Sequence, residues 1–228
     1  MKLDEITRAI ARWQHAKRNP NKLRKLLGTG KFFPVYPTEQ SDDPKRRFLH
    51  AYPGIHKGRL LFFVINALRD TEEQHHTGDG LLSCISICEI EDFDLIEDID
   101  PIPPGEAIKR ILSWHDHHEK WIRKEVTTID GPFECYVIPQ KGLGVNRDYQ
   151  AFFALQSGIV SEDFRADLVL FDPQARTFPQ VDHKENNFFD TVRLVPPFPP
   201  GELTVENPEL KKANFFLMNL AERLLIEA

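Results

Sequence analysis

Residues 59–67 read Arg-Leu-Leu-Phe-Phe-Val-Ile-Asn-Ala, and the uncharged run continues through Leu68. A short run this rich in Phe, Val and Ile is typical of a central strand that is buried on both faces. The run is only roughly half of the ~20 residues that a helix needs to cross a bilayer. We therefore expect a core strand here and no membrane span.

The segments that follow this strand predict a hairpin. Arg69–Gly80 is polar and is expected to be a loop, and Leu81–Ile90 is a second apolar segment. If residues 81–90 are extended, Cys84 and Cys88 share one side about 13 Å apart, which is too far for a disulfide. Because Cys135 also lies in an apolar run, we expect three reduced and mostly buried thiols.

Helical periodicity occurs in three regions of the chain. These are an N-terminal region with helices at 3–18 and 21–27, a middle helix from about 105 to 126, and a C-terminal helix from about 208 to 227. In the first helix, Leu3, Ile6, Ile10 and Trp13 lie on one face. That apolar stripe needs a surface to cover it, so the helix is expected to dock.

Further strand-like runs lie between the helices, at 133–139, 149–156, 167–171 and 188–195. Helices at both ends and in the middle, with strands between them, are typical of an α+β protein rather than of alternating β-α-β units. We therefore predict a single α+β domain over residues 1–228, with a largely antiparallel sheet of about five to seven strands.

The beginning of the chain is basic although the chain as a whole is acidic. Residues 1–31 contain nine Lys/Arg and two Asp/Glu, a net charge of +7, so the remainder carries −13 out of a total of −6. The pI of the whole chain is near 5.9, and a body as acidic as residues 32–228 repels phosphate, which argues against nucleic acid as a ligand. We expect the basic helical segment at 1–31 to dock on an acidic surface of the chain itself or of a partner.

Composition indicates an ordinary folded protein. Hydrophobic residues make up 41% and charged residues 28% of the chain, which argues against global disorder. The N-terminus lacks the apolar stretch of a secretory signal, and three cysteines form no disulfide framework. We expect a soluble protein of the cytoplasm.

Signatures of common cofactor sites are missing. No nucleophile elbow, dinucleotide fingerprint or zinc ribbon occurs, so no nucleotide cofactor is predicted. Gly28-Thr29-Gly30-Lys31 lacks the spacing of a phosphate loop, and the acidic stretch 89–100 lacks the central glycine of a calcium loop. The acidic stretch instead indicates a charged strand end or sheet edge.

The strongest candidate for a chemical site is residues 114–121, Trp-His-Asp-His-His-Glu-Lys-Trp, in the middle helix. The apolar stripe of that helix is assigned to Ile108, Ile111, Leu112 and Ile122. A 3.6-residue period puts His115, His118 and Glu119 on the same stripe. His115 and Glu119 are four residues apart, so both can reach one divalent metal ion. A further ligand would come from His75 or His76 in the polar loop, or from His50, His56 or His183.

Two functions are compatible with this cluster. A histidine on an apolar helix face is usually structural, which favours a non-enzymatic binding or assembly module that takes a protein partner or forms a homo-oligomer. If the cluster binds a divalent metal, the metal would lower the pKa of a bound water, with Glu119 or Asp116 as base, in a small metal-dependent hydrolase. The sequence leaves open whether the chain is an enzyme.

Overall fold

The computed structural model describes residues 1–37, 48–76, 80–92, 105–128, 131–140, 143, 147–157, 164–173, 188–189, 193–195 and 215–226. The helices within these ranges are α1 (Leu3–Ala16), α2 (Pro20–Leu27), α3 (Glu72–His76), α4 (Gly80–Ser83), α5 (Gly105–Glu125) and α6 (Phe216–Ile226). The strands are β1 (Lys31–Val35), β2 (Phe48–His56), β3 (Arg59–Asn66), β4 (Ile85–Glu89), β5 (Glu91–Asp92), β6 (Cys135–Pro139), β7 (Tyr149–Ser157), β8 (Phe164–Phe171), β9 (Phe188–Phe189) and β10 (Arg193–Val195).

The strands form two antiparallel sheets. Sheet A has the order β5-β1-β7-β8-β9, and sheet B has the order β10-β6-β2-β3-β4. Seven strands have five residues or more, three of them in sheet A and four in sheet B. The α+β class, with antiparallel pairing and with helices from the N-terminus, the middle and the C-terminus, is therefore confirmed. The strands are divided between two sheets, whereas the sequence analysis expected one.

The apolar run at 59–67 forms β3, which lies between β2 and β4 in sheet B. Its side chains alternate between two apolar clusters. Phe62 faces sheet A and stacks on Phe33 of β1, with ring centroids 3.9 Å apart. Phe63, on the opposite face, packs in the cluster that sheet B shares with α1 and α6. The strand is apolar along its whole length because both of its faces are covered.

The N-terminal helices dock on the body of the chain. Ile10 and Trp13, from the predicted stripe of α1, are fully buried. Near the end of the helix, the Trp13 indole donates a hydrogen bond to the Phe133 carbonyl at 2.9 Å. Lys17 forms an ion pair with Glu134 in which both side chains are largely buried. Apolar burial and this ion pair hold the basic segment in place.

Helix α5 is rotated about its axis relative to the predicted stripe. The residues that it buries are Ala107, Trp114, Trp121 and Ile122. The tryptophans set this orientation, because Trp114 stacks on Phe153 of β7 at a centroid distance of 5.3 Å and large rings dominate the buried area. Leu112, assigned to the buried stripe from the sequence, is exposed instead.

The second strand of the predicted hairpin begins later than expected. Residues 80–83 form α4, where the Ser83 hydroxyl donates to the Gly80 carbonyl at 2.9 Å, and β4 starts only at Ile85. The polar loop before it contains α3. The prediction of one extended segment over 81–90 is therefore wrong, although β3 and β4 do pair in antiparallel fashion. A hydroxyl that bonds to nearby backbone competes with strand pairing.

Two predicted segments are described only in part. β4 and β5 are edge strands of sheets B and A, so residues 89–92 of the acidic stretch lie at sheet edges, and residues 93–100 lie outside the described residues. The C-terminal helix runs from Phe216 to Ile226, and Phe215 before it is not helical. Residues 208–214, where the helix was expected to begin, lie outside the described residues.

The packing of α1 on sheet B depends on a glycine in β2. A Cβ atom at Gly54 would lie 2.5 Å from Phe63 Cε2, 3.0 Å from the Ala9 carbonyl carbon and 3.1 Å from the Ile10 nitrogen. We expect Gly54→Ala to lower the free energy of unfolding by about 1–3 kcal/mol, because the backbone of α1 must move away. Urea denaturation measures the change.

Gly105→Ala is the matched control for this substitution. A Cβ at Gly105 meets no atom within 4 Å, so we expect its effect to stay within about 0.5 kcal/mol. Equal effects of the two substitutions would contradict the close approach of α1 to β2.

The three cysteines differ in environment. Cys88 packs between the two sheets and Cys135 packs under α1 and α6, whereas Cys84 is half-buried at the edge of that second cluster. Cys84 and Cys88 therefore lie on opposite sides of sheet B and do not share one side as predicted. Burial raises the pKa of Cys88 to about 12 and the pKa of Cys135 well above its ordinary value.

This difference predicts the outcome of a thiol titration. Because the thiolate is the reactive form, Cys88 and Cys135 stay protonated and unreactive at mildly alkaline pH in the folded protein. An aromatic disulfide reagent should modify at most Cys84 rapidly, and all three thiols after unfolding. Cys84→Ser should abolish the rapid phase. Rapid modification of two thiols in the native protein would overturn this assignment.

Candidate functional site

Three polar side chains form a buried network on the face of sheet B that α6 covers. His50 and Tyr52 of β2, and Asp70 beyond the end of β3, are each at most 1% exposed. His50 Nδ1 lies 2.8 Å from Asp70 Oδ2, and the Tyr52 hydroxyl donates to the same oxygen. His50 also stacks on Phe215, with ring centroids 4.4 Å apart. A carboxylate buried this completely requires such donors.

Asp70 also caps the C-terminal helix. Its second oxygen, Oδ1, accepts a hydrogen bond from the Leu217 N–H at 2.9 Å. Leu217 is the second residue of α6, so its N–H has no acceptor within the helix. The residue before the helix is Phe215, whose side chain cannot accept a hydrogen bond. Asp70 therefore supplies from elsewhere in the chain the contact that an N-cap side chain usually makes.

This network is built for stability rather than for reaction with a ligand. Its three side chains are closed to solvent, so a substrate has no access to them. The neighbouring Cys135 is fully buried, and both burial and the Asp70 charge raise the pKa of its thiol. The sequence analysis named His50 only as a possible extra metal ligand. Its partners were not foreseen, because Asp70 lies in a stretch predicted to be a polar loop.

The histidine cluster on α5 lies mainly at the surface. The side chains of His115 and Glu119 are 46% and 52% exposed, and only His118 is half-buried. His115 Nδ1 lies 3.0 Å from Asp116 Oδ1, and His118 Nδ1 donates to the Trp114 carbonyl at 3.1 Å. The prediction that these residues share the buried stripe is therefore wrong for His115 and Glu119, because the tryptophans set the buried face. His118 is half-buried and stacks on Trp114, with ring centroids 5.8 Å apart.

The carboxylate of the cluster is paired with arginines. Glu119 Oε2 lies 3.2 Å from Arg123 and 3.7 Å from Arg24 of α2. Such cations compete with a metal ion for the carboxylate. Within the part of the chain that the structure describes, no group of three or more His, Cys, Asp or Glu residues could hold a metal ion.

The predicted further ligands lie in other places. His75 of α3 packs against Phe216, with ring centroids 5.4 Å apart. The side chain of His76 and the whole of His183 lie outside the described residues. His50 belongs to the buried network, and His56 lies in a basic cleft at the other end of β2.

A cleft of about 400 Å³ lies between α1 and the turn that joins β2 to β3. The residues that line it are Glu5, Arg8, Arg12, His56, Lys57 and Gly58. Three of these side chains are cationic at neutral pH, and one is a carboxylate. That carboxylate, Glu5, accepts a hydrogen bond from the backbone N–H of Lys2 at 2.7 Å, which lowers the pKa of Glu5. The cleft is therefore predominantly positive.

The β2–β3 turn holds a lysine in a conformation that disfavours it. The strands end at the pair His56 and Arg59, so the turn consists of Lys57 and Gly58. Their φ angles are +49° and +79°, as a type I′ turn requires. Asn or Gly is the usual first residue of such a turn, and another side chain costs roughly 1 kcal/mol there. Because a lysine occupies this position in spite of that cost, a functional role for its side chain is favoured.

A second depression, of about 440 Å³, adjoins the cleft and lies between α1 and α6. Its lining comprises Arg8, Ala11, Arg12, His15, Ala16, Lys22, Ile55, Leu224 and Leu225. Arg8 and Arg12 line both depressions, and Arg12 Nη1 donates to the Ile55 carbonyl at 3.1 Å, which orients that guanidinium. Leu225 is 42% exposed although it is a large apolar residue. We call the residues of the cleft and of this groove together the basic surface.

Comparison with known proteins gives no match. No protein-family model matches the chain, and neither a curated protein nor a solved structure does so. The function is therefore inferred from the residues of this chain. Among the described residues, no helix is both long enough and apolar enough to cross a bilayer.

The basic surface was visible in the sequence only as an excess of positive charge. Arg8 and Arg12 were counted within that excess, but β2 was not predicted as a strand of its own. The signal that could have located the site is Lys57-Gly58, two residues with turn character directly before the apolar run. A hairpin there brings His56 and Lys57 to the helix that packs on β2.

The buried network makes a prediction about Asp70. Asp70→Asn places an NH₂ group or a neutral oxygen where the carboxylate now accepts three hydrogen bonds, so at least one donor of the network loses its acceptor. We expect the free energy of unfolding to fall by about 2–4 kcal/mol. Amide hydrogen exchange should also accelerate at Leu217 and along α6, because the helix loses its cap.

Asp116→Asn on the exposed face of α5 is the matched control, and we expect it to change stability by less than about 0.5 kcal/mol. If Asp70→Asn were equally mild, or if α6 kept its protection, Asp70 would not fasten the C-terminal helix.

Proposed function

We propose that this chain is a non-enzymatic binding module whose basic surface takes an acidic segment of a partner protein. The observation that carries the proposal is that four cations, Arg8, Arg12, Lys22 and Lys57, line two adjoining depressions. Among the described residues of the lining, Glu5 is the only carboxylate, and Arg8 also lies 3.9 Å from Asp4 of α1. A concave surface with one sign of charge concentrates ligands of the opposite charge and accelerates their association.

Charge complementarity supports a partner that is acidic. The residues beyond 31 carry a net charge of −13, so the basic surface is a local positive site on an acidic protein. A nucleic acid would bring its phosphate chain against that acidic body, whereas a short acidic segment presents its charge to the basic surface alone. An acidic protein segment is therefore the partner that fits this charge distribution.

The groove between α1 and α6 supports a segment that also carries apolar residues. Ala11, Ala16 and Ile55 form its floor together with Leu224, and Leu225 lies exposed at its edge. Apolar grooves with a charged rim bind amphipathic helices, which place apolar anchors in the groove and charges at the rim. An acidic amphipathic helix fits both features of the basic surface.

A labelled peptide with glutamates on one helical face and leucines on the other tests the proposal. We expect it to bind in fluorescence anisotropy, with an affinity that falls as salt is raised. The double substitution Arg8→Glu and Lys22→Glu should weaken binding by at least about tenfold, because it reverses two of the four cations. Both side chains lie at the surface, so the fold should be retained.

Lys109→Glu with Lys120→Glu is the matched control, since it makes the same change of charge on exposed positions of α5. Equal weakening by both pairs of substitutions would show that only net charge matters and would contradict a defined site. Light scattering is measured in parallel. A dimer of the native chain that the α1 substitutions dissociate would mean that a second copy, not a partner protein, occupies the surface.

The alternative function, a metal-dependent hydrolase at His115, His118 and Glu119, remains a hypothesis with less support. The two histidines lie one turn apart on α5, but their partners are Asp116 and the Trp114 carbonyl, and Glu119 is paired with arginines. Metal analysis of the purified protein, compared with the double substitution His115→Gln and His118→Gln, separates the two functions. Loss of a bound metal with retained fold would favour the hydrolase.

A further inference from the structure

The basic surface is not uniform, because its cleft and its groove differ in chemistry. The groove is lined by apolar residues, whereas the described lining of the cleft comprises Arg8, Arg12, His56, Lys57 and Gly58, with Glu5 as its one acidic residue. We propose that the cleft is a subsite for a phosphate group carried by the partner segment. This inference rests on the proposed function and specifies its ligand.

The number of donors in the cleft favours phosphate over a single carboxylate. Arg8, Arg12 and Lys57 supply three cationic side chains. Glu5 and Asp4, which lies 3.9 Å from Arg8, offset part of their charge, but a single carboxylate of the partner has too few oxygens to engage all three donors. A phosphate monoester carries a charge of about −1.5 to −2 at neutral pH and three acceptor oxygens. Guanidinium groups bind such oxygens in pairs, and a lysine adds a point charge.

The Arg12 guanidinium and the backbone of Lys57 are in place before any ligand arrives. The hydrogen bond from Arg12 Nη1 to the Ile55 carbonyl, at 3.1 Å, orients one guanidinium at the junction of cleft and groove. The turn fixes the backbone of Lys57 at the opposite wall. Glu5 is held by its hydrogen bond from the Lys2 N–H, which fixes the position of that carboxylate. Preorganised donors of this kind lose little freedom when an anion binds.

The identity of the first turn residue, Lys57, supports the phosphate subsite independently of the cleft's charge. Lys57 is the only non-glycine residue with a positive φ within the described part of the chain, and Asn would suit that conformation better. A lysine that lowers stability at an exposed turn is expected where its charge serves binding. Lys57→Asn should therefore raise the melting temperature while it weakens phosphate binding. A lysine with no function would change the first property and not the second.

The experiment compares two labelled acidic peptides that differ at one position, phosphoserine in one and glutamate in the other. We expect the native protein to bind the phosphoserine peptide about tenfold more tightly. Lys57→Asn should abolish that preference, because it should weaken binding of the phosphoserine peptide by about tenfold more than binding of the glutamate peptide. Arg59→Gln, on the same hairpin but with its guanidinium paired to Glu89, is the matched control and should keep the preference.

Titration with inorganic phosphate, followed through the amide resonances of His56 and Gly58, identifies the source of the phosphate. Binding of inorganic phosphate without any preference for the phosphoserine peptide would mean that the cleft takes a free phosphate compound, and it would overturn the phosphorylated partner. Absence of both effects would remove the subsite. If the subsite were absent and the glutamate peptide still bound, the proposed function of binding an acidic segment would be retained. If inorganic phosphate bound and neither peptide did, the proposed function would be wrong and only the anion site would remain.

Discussion

Strand β3 is apolar on both faces and its partner β2 is largely so, and the rest of the molecule is arranged around the need to cover each face. Sheet A covers one face, where Phe33 stacks on Phe62 at 3.9 Å. On the other face, α1 approaches so closely that Gly54 leaves no room for a Cβ. Helix α6, which is held through Asp70, covers a further part of this face, together with Leu81 and Leu82 of α4. A strand pair with two apolar faces cannot be half-covered without exposing large rings to water, so both helices are part of the core.

The basic surface follows from the same arrangement. Because α1 buries its apolar stripe on β2, its polar face is presented beside the β2–β3 turn and the end of α6. Arg8 and Arg12 are then neighbours of Lys57, and Leu225 is left exposed at the edge of the groove. None of these side chains is required to cover β2 or β3. The buried core therefore sets the position of the basic surface. The charge of the basic surface comes from residues that contribute little to the core.

Local patterns in the sequence predicted the elements that depend on local physics. The run at 59–67 became β3, and the stripe of α1 became buried, because uninterrupted apolarity and helical spacing act within one element. The orientation of α5 was not predictable in this way. The predicted stripe was Ile108, Ile111, Leu112 and Ile122. Ile122 is buried, but Leu112 is exposed, because the orientation is set by Trp114, whose partner Phe153 comes from a distant strand. The pairing of Lys57 with Arg8 across one cleft depends on the same kind of long-range contact, so composition showed the charge and not its location.

The two histidine-containing groups of the molecule show why residue type alone does not identify a site. His50, Tyr52 and Asp70 have the residue types of an acid–base site and short hydrogen bonds, yet they are closed to solvent and hold α6 to the sheet. His115 and His118 are accessible, yet their nearest groups are a carboxylate and a carbonyl of their own helix. Catalysis needs a reactive group that is both accessible and activated by its surroundings. The buried group is closed to solvent, whereas the α5 group is mainly exposed, with His115 beside Asp116 and His118 bonded to the Trp114 carbonyl. Binding, in contrast, needs only accessible charge in a fixed arrangement, and among the described residues the basic surface has it.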